Sequence, residues 1–360
     1  MNEDYKILST LRYDPNLAKL EEISSNGNNS LVVKYSTVNN DFMLSPKFNG
    51  YKWNNDMIRD AGKDFHAFQK EFSQVNSDSV MEPHLTPDFT KQFKDLLVVD
   101  ADYKDFFQSR FLFVPQHLSR INLTLEYFKC PREPVTLNEL ITLLIDTVID
   151  EGKSLMDNLT EIKNGQNNEA SKIRVLINKE GHIVTEVYPL RFSSEVPVPK
   201  TCTQSFVKTL LNGLSENPNN EWNIFKDTEP ILSYTPYTTF KTTNRLHYTL
   251  ARERMINMIS KCNDSNLNKF KCEIVIFNEN NYAMEGSITN IAIARKTENS
   301  HVQWVTPPLK SGCLCGVFRY YLLQLGYIRE DDIKLDEINI GDTLLIFNGV
   351  MGCVRAIVKK

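Results

Sequence analysis

The chain has 360 residues, 41% of them hydrophobic and 10% aromatic, with a formal net charge of −4. That length suits two domains of ordinary size, each with its own core. The charge is spread along the chain with no basic run interleaved with aromatics, which argues against nucleic acid as a main partner.

No apolar run approaches the length of a membrane span. The opening MNEDYK lacks the apolar core of a signal peptide. Seven cysteines, an odd number scattered over a long chain, fit reduced thiols and a cytoplasmic protein.

Residues 5–14, YKILSTLRYD, read as a strand that ends before Pro15. From 15 to about 100 the hydrophobic periodicity is weak and SSNGNNS (24–30) has the composition of a linker. The stretch reads as a surface insertion, with some order expected near Tyr51–Phe72. FLFV (111–114) reads as a short apolar strand. Pro115 suits the first turn of a helix. Leu118, Ile121, Leu125 and Phe128 form one face of it, with Arg120 beside that stripe and His117 as a structural residue. Thr136-Leu137-Asn138-Glu139 has the spacing of a capping box. It opens a helix carrying Leu140, Ile141, Leu144 and Val148 that is expected to stop at Gly152.

EIKNGQNNE (161–169) is polar loop, and 174–187 is a hairpin whose turn contains Gly181. Prolines then thicken at 189, 197 and 199, which places a domain boundary there and divides the chain into 1–195 and 196–360. The second half is strand-rich, with β-like segments at 272–277, 281–287, 290–295, 302–307, 342–347 and 353–358. Helices are expected at 245–262 and about 317–325. Short strands with few helices suggest an α+β fold with a barrel-like mixed sheet.

Three stretches carry candidate chemistry. In TTFKTTNRLHYTLARERMINMI (238–259), Tyr248, Ala251, Met255, Met258 and Ile259 recur three and four apart, while Arg252, Glu253 and Arg254 face away. Asn244 is the expected N-cap. Lys241 precedes it on an irregular segment after Pro236, where a partly desolvated lysine can form a Schiff base. Taken alone, a loop lysine is ordinarily solvated. The second stretch, GCLCGVFRYYLLQLG (312–326), is a glycine-bearing loop running into a helix N-terminus, an arrangement that suits a phosphate. Its C-x-C pair lacks the second pair that a zinc site needs, so metal is not expected. In the third, MEGSITN (284–290), Glu285 lies on or beside a strand and needs a donor partner if buried. An amine, a phosphate cradle and a protected carboxylate together are what pyridoxal 5′-phosphate requires: a lysine for its aldehyde, a nest for its phosphate and an acid for its pyridine nitrogen.

FKTTNR (240–245), MEGSITN (284–290), TPPLKSGCLCGVFR (306–319) and FNGVMG (347–352) resemble, in order and spacing, the motif series of the fold-type IV pyridoxal-phosphate enzymes. FLFVPQHLSRI (111–121) resembles that family's small-domain helix. The series is most like the fungal aminodeoxychorismate lyase branch. The resemblance implies a smaller α/β N-terminal domain and a larger C-terminal pseudo-barrel that binds the cofactor. It implies that Lys241 is the Schiff-base lysine and proton shuttle, and that Glu285 pairs with the pyridine nitrogen. Arg120 and the amides of Val317 and Phe318 would hold the phosphate, with Asn348, Gly349 and Val350 on a nearby loop. Asn244 and Arg245 match the residues that follow the lysine, and Arg12 is a candidate for a substrate carboxylate.

The implied reaction is cleavage of 4-amino-4-deoxychorismate to 4-aminobenzoate and pyruvate, in folate biosynthesis. Transamination of a branched-chain or D-amino acid on the same fold, or a non-catalytic scaffold, are the alternatives. The chain departs from the branched-chain aminotransferases in having Thr242-Thr243-Asn244-Arg245 after the lysine, and Phe318 in the phosphate loop. Relatives are often homodimers; the sequence leaves the oligomeric state open.

Overall fold

The computed structural model describes residues 5–15, 107–108, 110–149, 157–158, 161, 170–190, 210–214, 221–233, 235–262, 267, 271–296, 302–324 and 326–360. The insertion expected at 15–100, apart from Pro15, most of the 161–169 loop, Gly152, Pro197 and Pro199 lie outside them. The described residues fall into two compact units: residues 6–190, and Tyr5 with residues 210–360.

The first unit has strands β1 (Ile7–Tyr13), β2 (Ser171–Ile177) and β3 (Ile183–Pro189), with helices α1 (Val114–Tyr127) and α2 (Leu137–Val148). The strands form an antiparallel sheet in the order β1-β2-β3. Strand alternation puts Ile7, Leu11 and Tyr13 on one face of β1, and all three join the helices' Ile121, Leu125, Leu140 and Leu144 in one core. The expected hairpin is β2–β3, turning through Gly181 at φ 88°. The capping box is present: Thr136 Oγ1 accepts from the Glu139 amide at 3.1 Å, and Glu139 Oε2 accepts from the Thr136 amide at 3.4 Å.

FLFV is not a strand. Only Phe111 bridges, to Tyr13, and the chain then turns through Phe113 in the left-handed region (φ 59°) to start α1. Pro115 explains why the apolar run becomes helical: its fixed φ and missing amide fit the first turn.

The second unit holds β4 (Trp222–Lys226), a helical turn at Pro236–Thr239, α3 (Leu246–Lys261), β5 (Cys272–Phe277), β6 (Ala283–Gly286), β7 (Asn290–Lys296) and β8 (Val302–Thr306). It continues with α4 (Val317–Gln324), β9 (Ile328–Glu330), β10 (Thr343–Asn348) and β11 (Gly352–Val358). The strands make one mixed sheet in the order β6-β5-β4-β11-β10-β7-β8-β9. Strands β6 and β7 stand first and sixth in that order, yet only residues 287–289 join them. A flat sheet would hold them about 24 Å apart at ~4.8 Å per neighbour. A three-residue link spans at most about 14 Å. The sheet is therefore curled, as the expected pseudo-barrel requires. Ile291 and Ile293, Leu344 and Ile346, and Val354, Ala356 and Val358 supply its core from every second position.

Strands β4 and β9 were not expected. WNIFK is short and carries a single adjacent apolar pair, Ile224 and Phe225, but it lies between β11 and β5, parallel to both. Helix α3 buries Tyr248, Ala251, Met255 and Ile259, as the periodicity predicts, while Met258 is only half-buried. Its N-cap is Arg245, with no side-chain cap bond, rather than Asn244. On the face turned away from that stripe, Arg254 holds Asp227 through two contacts of 2.6 Å.

Candidate active site

Strand β6 carries Glu285 into the interior, where it is 3% exposed. Three donors meet it there. Tyr248 Oη, from α3, donates to Oε1 at 2.5 Å. Asn290 Nδ2, at the start of β7, donates to Oε2 at 3.2 Å and to the Leu314 carbonyl at 3.1 Å. The backbone amide of Leu314 also donates to the carboxylate. Burial pushes the Glu285 carboxyl up to about 7, and the Tyr248 hydrogen bond, Arg245, the Leu314 amide and Lys241 pull against it. Lys241 is thus near enough for its charge to be felt at Glu285. Burial, with the Glu285 charge adding to it, pushes the Tyr248 phenol well above its usual range. Burial, then Arg245, pulls His247 down to about 4, so its ring is neutral near pH 7.

The turn 287–289 is where the sequence motifs converge. Arg245 Nη2 donates to the Ser287 carbonyl at 2.7 Å, and its guanidinium lies 4.0 Å from the centre of the Tyr248 ring. Arg252 Nη1 donates to Ser287 Oγ at 2.9 Å. Asn348 Nδ2 donates to the Ile288 carbonyl at 3.1 Å, while its Oδ1 accepts from the amides of Val350 and Met351. Beneath the turn lies Glu273 of β5, with 0% exposure. Its Oε1 accepts from the Ile274 amide, the Ser287 amide and Ser287 Oγ; its Oε2 accepts from the Ile288 amide and Thr289 Oγ1. The stretches at 240–245, 284–290, 312–319 and 347–352, far apart in sequence, are therefore joined by hydrogen bonds around Glu285.

The 312–316 loop comes close to this turn. A Cβ on Gly316 would sit 1.9 Å from Asn290 Oδ1, so a side chain there would displace the asparagine that holds Glu285. Gly312 adopts φ 97°, and a Cβ there would meet Ser233 and Met284. Val317 and Phe318, both buried, open α4, the end where a helix's first amides precede its ladder and its dipole is positive. Phe318 packs against Tyr321 and Phe347. Cys313 is pushed up to about 12 by burial, which makes it an inert thiol. Among the described residues no group of three His, Cys, Asp or Glu side chains could hold a metal ion. No described helix is long and apolar enough to cross a membrane.

Arg12 and Arg120 belong to the first unit. Arg12 is 2% exposed, with Nη2 on Asp14 Oδ2 at 2.6 Å. Arg120 is 6% exposed, with Nη2 on Ser9 Oγ at 3.3 Å; Ser9 also meets His117 Nδ1 at 2.8 Å. His117 is thus a buried partner of β1, the structural role its place in α1 predicted.

The amino-transferase class IV model matches residues 105–357. The aminodeoxychorismate lyase of Saccharomyces cerevisiae is 31% identical over 375 residues, covering 99% of this chain and 94% of that one. The chain belongs to the amino-transferase class IV family. A Schizosaccharomyces pombe protein described provisionally as an aminodeoxychorismate lyase is 27% identical over 186 residues, covering 51% of this chain and 64% of its own. Among solved structures, a Legionella pneumophila protein described in the same provisional way as a 4-amino-4-deoxychorismate lyase has a TM-score of 0.48 at 12% identity, covering 69% of this chain and 78% of that one.

Three residues of this cluster around Glu285 went unread in the sequence. Tyr248 registered only as one apolar position of an amphipathic helix. Asn290 opens a strand without distinction. Glu273 did leave a signal: it is the one charge in the run CEIVIF, and a charge inside a buried strand needs several donors.

Proposed function

We propose that this chain is a pyridoxal-phosphate-dependent aminodeoxychorismate lyase, cleaving 4-amino-4-deoxychorismate to 4-aminobenzoate and pyruvate. The observation that carries the chemistry is Glu285: a buried carboxylate poised near neutrality, with Lys241 close enough to influence it. The substrate is assigned from the near full-length match to the yeast lyase.

The residues present fit the cofactor. Glu285 has burial that a facing cation would relieve, as a pyridinium nitrogen would. The hydroxyls of Thr239 and Thr242, on either side of Lys241 in sequence, are buried without a hydrogen-bond partner among the described residues, so they have donors to offer a polar ligand. Gly316 keeps side-chain atoms out of the approach to α4, whose Val317 and Phe318 amides would hold the phosphate. Asn348, Gly349 and Val350 form the neighbouring turn. Bound there, pyridoxal phosphate would supply an electron sink for the carbon that loses a proton.

The rest is done by the chain. Lys241 Nζ would hold the aldehyde at rest and, once displaced by the substrate's amino group, remove the proton from the ring carbon bearing that nitrogen. Expulsion of the enolpyruvyl oxygen from the adjacent carbon then makes the ring aromatic, and Lys241 Nζ would retake the aldehyde carbon, freeing 4-aminobenzoate. The proton returns to the enol carbon to give pyruvate. Glu285, ionised when a cation faces it, would keep the pyridine nitrogen protonated. Asn244 and Arg245 would border the substrate.

The purified chain should release fluorescent 4-aminobenzoate from 4-amino-4-deoxychorismate, and Lys241→Ala should reduce the rate to background. Turnover of a branched-chain amino acid with 2-oxoglutarate but not of aminodeoxychorismate would replace the lyase assignment with transamination. Wild-type-like product formation by Lys241→Ala would remove the lysine from the mechanism.

A further inference from the structure

We propose that Tyr248 is a positioning residue for Glu285: its hydroxyl, donating to Oε1, keeps that carboxylate ionised and turned toward the pyridine nitrogen of the bound cofactor. This deepens the proposed function and rests on it for the identity of the cofactor.

The geometry is specific. The Tyr248 oxygen lies 2.5 Å from Glu285 Oε1, at the short end for such bonds, and both residues are buried, 3% exposed each. The second carboxylate oxygen is taken by Asn290 Nδ2. With one donor on each oxygen the carboxylate cannot rotate freely, and its remaining lone pairs have fixed directions. Tyr248 is itself held. Its place in the buried α3 stripe with Ala251, Met255 and Ile259 fixes its backbone. The Arg245 guanidinium sits 4.0 Å over its ring, and the His247 ring lies 4.2 Å from it. A cation over the ring face steadies the phenol by the ring quadrupole. Arg245 is in turn anchored on the Ser287 carbonyl. The hydroxyl is thus placed by a helix, a cation and a clamped turn.

The direction of donation follows from the chemistry of the pair. An ordinary phenol holds its proton to about pH 10. Burial and the neighbouring carboxylate raise Tyr248 further, so it keeps its proton when Glu285 ionises and is the donor to the carboxylate. A carboxylate that accepts a hydrogen bond is favoured in its charged form. The groups facing Glu285 are Tyr248 from α3 and Arg245 at its N-cap, Lys241 from the preceding loop, Asn290 from β7, and Cys313 with the Leu314 amide from the 312–316 loop. Of the two side-chain hydrogen bonds to Glu285, that of Tyr248 is the shorter.

The test uses the full chain with Tyr248→Phe, which deletes one oxygen and keeps the packed ring. Without cofactor, wild-type stability against urea should fall as pH rises from about 4.5 to 7, because the folded chain holds a proton on Glu285 that the unfolded chain has released. In Tyr248→Phe that decline should extend about one pH unit higher. With cofactor, kcat should drop roughly 10- to 100-fold with little change in KM, as expected for loss of a hydrogen bond to a charged group. In a Glu285→Gln background the same replacement should change neither kcat nor cofactor affinity further. A Tyr248→Phe protein that is merely less stable, with the wild-type pH response and kcat, overturns this proposal and leaves the proposed function standing. A wild-type chain that takes up no pyridoxal phosphate overturns both. Should Tyr248→Phe not fold, 3-fluorotyrosine placed at position 248, a stronger donor of nearly the same shape, must shift the same pH response downward; an unmoved response overturns the proposal.

Discussion

Glu273 on β5 and Glu285 on β6 are both withdrawn from solvent, on strands that pair with each other, but their surroundings differ. Five donors converge on Glu273, four of them from the turn 287–289, and no cation is among them. Glu285 has a tyrosine, an asparagine and one backbone amide, and burial outweighs them, leaving it near neutrality. The first carboxylate is fully used in shaping the turn. The second is left short of positive charge, which is what a site for a cationic ligand group requires. The two are also linked: the turn that Glu273 fixes joins Glu285 to Asn290, so the first carboxylate holds the surroundings of the second in place.

Removing each in turn sharpens that difference. Glu273→Ala should be the most damaging, because it orphans several buried donors at once. A loss of about 3–5 kcal/mol in urea unfolding is expected, with or without cofactor. Glu285→Gln should do the reverse in the unloaded chain. The folded-state value near 7 lies above the unfolded one, so ionised Glu285 destabilises the unloaded chain increasingly between about pH 4.5 and 7 and by a constant amount above. The glutamine variant escapes this and should be more stable by about 3 kcal/mol at pH 8, with no gain at pH 4. It should nonetheless bind cofactor more weakly and turn over slowly. Equal losses from the two variants at pH 8 would dissolve the distinction.

Gly316→Ala should fall next. Its methyl collides with Asn290 Oδ1, so a cost of about 1–3 kcal/mol is expected, with weakened cofactor affinity because Asn290 releases Glu285. Unchanged affinity would show that Asn290 is not needed to orient the carboxylate. Thr136→Ala is the smallest effect and the control from the other unit. It deletes one capping bond of α2 and should cost about 1 kcal/mol in thermal unfolding, with the pH response of Glu285 unmoved.

Much of this was legible in the sequence, for physical reasons that differ by element. Helix α3 and strands β5, β7, β10 and β11 declare themselves because helical spacing in the first and short apolar runs in the others are what buried elements of those kinds require. The capping box of α2 and the Gly181 turn are local chemistry and read directly. Strand β4 did not, because its five residues owe their conformation to pairing with β5 and β11, a tertiary effect that propensity does not carry. FLFV misled because a short apolar run does not distinguish strand from buried helix entry, and the left-handed Phe113 that decides it has no sequence signature. Lys241 and Glu285 were singled out by chemistry, but the hydrogen-bond partner of Glu285 was not. Tyr248 looks like packing until the fold brings its oxygen to a carboxylate 37 positions away.

The most direct measurement is the mass of peptides from the pyridoxal-phosphate-loaded chain after borohydride reduction. A pyridoxyl group on the peptide containing Lys241, absent from Lys241→Ala, is the predicted result. The label on a different lysine, or none on a chain that turns over its substrate, would contradict the account.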